Sequence, residues 1–137
     1  MLSKLLMMAS AGVVLLLGVA HLAYTLHGRK LAPRDAAVEQ AMAATHLGLT
    51  TQTTVWKAWI GFNISHSMGA VLFGLLYAYL AMCQPGLLFR SPYLLAVGGA
   101  MLCGLLVLAR LYWFNVPLMG ISLALGLYAA SVMLHRY

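Results

Sequence analysis

The stretch Val55–Met82, VWKAWIGFNISHSMGAVLFGLLYAYLAM, decides how this chain folds. After Lys57 it holds no Asp, Glu, Lys or Arg, and no proline interrupts it. At about 1.5 Å of rise per residue, a helix over these residues crosses a hydrocarbon layer of roughly 30 Å with length to spare. A membrane β-strand would alternate apolar and polar side chains, and this run does not. Near its middle sits a polar knot, Asn63-Ile64-Ser65-His66-Ser67.

Three further runs of the same kind, over about residues 5–26, 93–113 and 117–134, predict three more spans beside the one at about 55–82. Composition agrees, with 64% hydrophobic and 7% charged residues, where a soluble domain carries about a quarter charged. The expected fold is all-α, a four-transmembrane-helix bundle forming a single domain over the 137 residues. Lys4 and the later Gly18-Val19-Ala20 give the first run the look of a secretory leader. Its apolar stretch exceeds the roughly 7–15 residues of a leader core, so a retained first helix is expected.

Between the first two spans, Arg34–His46 reads as a short amphipathic surface helix. Pro33 suits a first turn, Asp35 and Glu39 complement the amino-terminal dipole, and alanine is abundant. Thr50–Thr54 reads as a loop that caps the next helix. Pro85-Gly86 reads as the stop of the second span, and Pro117 as the first position of the fourth.

Eight Lys and Arg stand against Asp35 and Glu39, a net charge of +6. The bases are scattered at helix ends instead of forming a stripe, which argues against nucleic acid and for anionic lipid headgroups. Arg29, Lys30, Arg34, Lys57 and Arg110 fall on the long-loop side, and Lys4, Arg90 and Arg136 on the other; the count leaves sidedness open. Cys83 and Cys103 lie at different depths and read as packing residues, as do the nine methionines. Glycines along every span would serve the internal bundle, and any left outside would serve a homo-oligomer or a larger membrane complex.

Helical spacing puts Trp59, Asn63 and His66 on one face of the second span, and Gly18, His21 and Tyr24 on one face of the first. Arg110 closes a comparable face of the third span. Ionisable groups at membrane depth are costly and turn toward a bundle interior or water. His21, Tyr24, Trp59, Asn63, His66 and Arg110 are therefore the candidate ligand-binding cluster, with His46 and Lys57 at its mouth. Asn63, one turn before His66, would fix the ring of His66. A Ser65–His66 dyad is geometrically poor, because neighbours on a helix diverge by about 100°.

Several chemistries fail on inventory. A carboxylate-bridged di-iron bundle needs several inward glutamates, and Glu39 is alone and in the loop. Proton transport through a membrane carboxylate fails likewise, and five dispersed histidines do not make a desaturase-like cluster or a three-ligand zinc site. No metal site is expected. A haem b held by His21 and His66, or a quinone met by His66 and Arg110, stands as a redox alternative. An enzyme using His66 as acid/base on a lipid-like substrate is another, and an oligomeric channel or carrier a third. The leading expectation is non-enzymatic: a small integral subunit, or a lipid- or small-ligand-binding protein.

The run Trp56-Lys57-Ala58-Trp59-Ile60-Gly61-Phe62-Asn63-Ile64-Ser65-His66-Ser67-Met68-Gly69, with its pattern W-x-x-x-G-F-N-x-S-H-S-x-G, resembles small bacterial four-helix membrane proteins of unknown function. The resemblance covers the four-span layout and the second span. It implies a multi-pass protein of the bacterial cytoplasmic membrane and brings no catalytic residue.

Overall fold

The computed structural model describes residues 1–136, and the side chain of Arg136, counted above among the terminal-side charges, lies outside what is described. Among the described residues the fold is all-α apart from one small hairpin. Its elements are α1 (Leu2–His27), α2 (Ala36–Ala44), β1 (His46–Leu47), β2 (Thr50–Thr54), α3 (Val55–Cys83), α4 (Pro85–Arg90), α5 (Pro92–Tyr112) and α6 (Asn115–Arg136). Four of them, α1, α3, α5 and α6, are long and apolar enough to cross a membrane. Only 22% to 39% of an apolar 18-residue stretch in each span is buried inside the protein. Outward residues such as Leu16, Leu72, Val107, Leu111 and Met119 are more than half exposed, and a surface that apolar needs lipid, not water, as its solvent. The protein is an integral membrane protein.

Two compact units divide the chain: Met1–Leu17 with Ala70–Tyr137, and Gly18–Gly69. In the first, parts of all four long helices form a bundle. Its buried positions recur at helical spacing: Met7, Ala11 and Val14 on α1; Ala70, Phe73, Tyr77 and Leu80 on α3; Leu102 and Leu105 on α5; Ile121, Ala124 and Tyr128 on α6. Steps of three and four residues keep these side chains on one stripe of each helix. Gly98 lets α5 approach, since a Cβ there would lie 2.6 Å from Tyr77 Cε1 and 2.7 Å from the Tyr128 hydroxyl.

Polar atoms in this bundle are satisfied across helices. Ser10 donates to the Ala124 carbonyl at 2.7 Å, Ser131 to Ser3 at 2.7 Å, Tyr77 to Leu94 at 2.7 Å and Tyr128 to Leu95 at 2.7 Å. A hydroxyl in hydrocarbon has no water to fall back on, so such bonds help fix helix pairing. Tyr128→Phe keeps the ring and removes only the bond to α5. It is expected to cost about 1 kcal/mol, read as a lower thermal midpoint in detergent; an unchanged midpoint would assign the ring alone the packing role.

Three elements differ from the sequence expectation. Thr50–Thr54 is a strand, antiparallel to His46–Leu47 in the register His46↔Thr54 and Leu47↔Thr50; β-branched residues favour extended backbone. Pro85 does not merely stop α3: it opens the short helix α4, where a proline at the first position loses no hydrogen bond. The last span starts at Asn115, so Pro117 sits inside its first turn, where its missing N–H again has no intrahelical role.

Candidate functional site

The second unit holds the end of α1, the 28–54 connection and the start of α3. Its connection is well tied. Asp35 caps α2 by accepting from the Ala37 N–H at 2.8 Å. The Val55 N–H donates to Thr45 at 2.9 Å, and the Thr54 hydroxyl accepts from the Lys57 N–H at 3.4 Å, so the threonine run does cap α3. Arg29 pairs with Glu39, joining the residues after α1 to the first turn of α2. Trp59 Nε1 donates to the Leu31 carbonyl at 3.1 Å, which ties the same loop to α3.

Deeper in, Asn63 links the two helices. Its Nδ2 donates to the Trp59 carbonyl at 2.8 Å, which leaves Oδ1 to accept from His21 Nε2 at 2.9 Å. That contact places the His21 proton on Nε2, since a carbonyl oxygen only accepts. Asn63 thus has a partner on the facing helix, His21, which spacing along one helix does not reveal. The His66 ring meets the His21 ring edge to face, centroids 5.3 Å apart, and stacks with Phe62 at 6.3 Å. Asn63 is buried at 5% exposure, while His21 and His66 are half-buried.

Between this link and the connection lies a cavity of about 180 Å³. Tyr24 and Thr25 line it from α1, Arg29, Leu31, Ala32 and Glu39 from the connection, and Trp56, Trp59, Ile60 and Asn63 from α3. Of the candidate residues, Tyr24, Trp59 and Asn63 line it, and His21 stands behind Asn63 as its hydrogen-bond partner. His66 is outside the lining, against His21. His46 is outside the lining, in β1, with Nδ1 held by the Thr53 carbonyl at 3.0 Å. Lys57 is exposed and outside the lining. Arg110 belongs to the last turn of α5 in the other unit, where it is exposed.

Sequence reasoning missed Arg29, Glu39 and Trp56 as lining residues. Their charges and ring were visible, but a loop of unknown path gave no means of bringing them together. A larger hollow of about 630 Å³ in the first unit, beside the stacked Phe89 and His135, is lined mainly by aliphatic side chains.

The polar side chains around the cavity are engaged with one another and with the backbone. Hydroxyls that could act as nucleophiles are turned to carbonyls of their own helix: Thr25 to His21, Ser65 to Phe62 and Ser67 to Asn63. The Glu39 carboxylate is paired with Arg29. The His21 and His66 rings are in direct contact and one His21 nitrogen is held by Asn63, so the pair does not fit a haem sandwiched between them. Among the described residues no three His, Cys, Asp or Glu side chains come together as metal ligands. No protein-family model, curated protein or solved structure matches the chain.

Proposed function

We propose that this protein is a small, non-enzymatic membrane protein that holds the polar head of an amphiphile, a lipid or small ligand, where α1 and α3 leave the hydrocarbon layer. The cavity carries this reading: it combines apolar and aromatic walls with a few placed polar groups, which is the usual make-up of a ligand site. Tyr24, Trp56 and Trp59 line it near the end of α1 and the start of α3, and aromatic belts form at such span ends. Around it, Arg29, Lys30, Arg34 and Lys57 are all exposed and would draw anionic lipids of the surrounding leaflet. The motif resemblance supports a bacterial cytoplasmic membrane as its location.

Two of the three tryptophans line the cavity, so the site reports on itself. With Trp113 replaced by phenylalanine, adding a bacterial polar lipid extract to delipidated protein in maltoside detergent is expected to shift tryptophan emission and raise the thermal midpoint. Ala32→Leu, which places a larger side chain in the cavity, is expected to abolish the emission shift while the protein stays folded. An equal shift in Ala32→Leu would show that the lipid acts elsewhere.

A further inference from the structure

We propose that the head held in this cavity is a zwitterion, an ammonium beside a phosphate; the inference rests on the cavity being a binding site. Three observations converge on it. First, the lining contains two charged side chains, Arg29 and Glu39, and they are of opposite sign. An anionic head reaching Arg29 would also lie against the Glu39 carboxylate, and a cationic head reaching Glu39 would meet the guanidinium. Only a head carrying both signs is matched at both places, the phosphate taking the planar fork of Arg29 and the ammonium taking Glu39.

Second, the Arg29–Glu39 pair is open to exchange. The Arg29 side chain is 75% exposed and that of Glu39 25%, and ion pairs at such exposure add little stability of their own. A zwitterion replaces one internal pair by two pairs to the ligand. Third, three aromatic rings, Tyr24, Trp56 and Trp59, line the same space, and aromatic faces attract ammonium groups. One ring already demonstrates this: Lys30 Nζ lies 4.1 Å from the centroid of Tyr24. The volume of about 180 Å³ is smaller than the roughly 300 Å³ at which drug-sized pockets begin. It suits a head alone, with any acyl chains left in the bilayer.

Full-length protein in maltoside detergent, followed by tryptophan emission and native mass spectrometry, tests this with three probes. Phosphatidylethanolamine supplies both charges and phosphatidylglycerol only the phosphate. Glycerophosphoethanolamine supplies the head without chains. Phosphatidylethanolamine is expected to bind about tenfold more tightly than phosphatidylglycerol, and Glu39→Gln to erase that preference. Competition by glycerophosphoethanolamine would assign a soluble source to the head, and its failure a lipid source; both fit the ammonium–phosphate chemistry. Equal binding of the two lipids, blocked by Ala32→Leu, would overturn the zwitterion and leave the cavity as a site. A preference that survives Glu39→Gln would overturn it too. Binding of none of the three probes would overturn both.

Discussion

Replacing Gly74 by alanine is expected to destabilise the four-helix unit by up to about 2 kcal/mol net, although alanine is the better helix former. A Cβ at this position would lie 2.6 Å from Leu15 Cβ, 2.9 Å from the Ala11 carbonyl oxygen and 2.9 Å from Leu15 Cα. Two of those atoms are backbone and the third is fixed to it, so no rotamer change relieves the clash. Relief requires α1 and α3 to move apart over Leu15 and Ala11. Close approach is what holds helices together in lipid, where no hydrophobic force pulls them inward. Opposing this is a propensity gain of up to about 1 kcal/mol for alanine over glycine, against an overpacking cost of about 3 kcal/mol where, as here, the clash is with backbone. Gly69→Ala on the same helix supplies the control, because nothing lies within 4 Å of a Cβ there; it should be neutral or slightly stabilising. Thermal unfolding of the two variants in one detergent decides the point. Equal midpoints would mean that the α1–α3 contact at Gly74 is looser than the structure has it.

That contact also marks where sequence stops being informative. The spans could be read because a bilayer imposes length and apolarity together, and Val55–Cys83 satisfies both without ambiguity. The rotation of each span could not. A helix apolar on nearly every side has no polar face to orient it, so Asn63 and His66 could be put on one face of α3 but not aimed. His21 could be put on a face of α1 without showing that it reaches Asn63. Arg29 and Glu39 were legible as charges, and Glu39 as a helix-start residue, yet their pairing depends on the path of the intervening loop. The strand Thr50–Thr54 was hidden for a different reason. Threonine runs serve equally as caps and as extended backbone, and the Thr54 hydroxyl does cap α3 while its own backbone completes the hairpin.

The interhelical link at Asn63 gives the second large effect. Asn63→Leu keeps a side chain of similar size and suits hydrocarbon, so neither a cavity nor a buried charge complicates the result. What disappears is the Oδ1 acceptor for His21 Nε2 at 2.9 Å and the Nδ2 donor to Trp59 at 2.8 Å. The Trp59 carbonyl lies inside α3 and retains its helical partner, so little is lost there. The His21 N–H loses the acceptor that fixes its tautomer, in a half-buried position away from bulk water. Such a group costs about 1–3 kcal/mol when left unsatisfied, whereas a bond between membrane helices is worth about 0.6–2 kcal/mol net. The expected loss is therefore about 1–2 kcal/mol, seen as a lower thermal midpoint. Binding of lipid extract should weaken as well, because Asn63 is a wall of the cavity. His21→Phe separates the cause from the side chain itself: in that background Asn63→Leu should cost almost nothing, since its partner is already gone. An equal cost in both backgrounds would show that Asn63 stabilises the protein by packing alone, and that the hydrogen bond to His21 contributes no coupling between the helices.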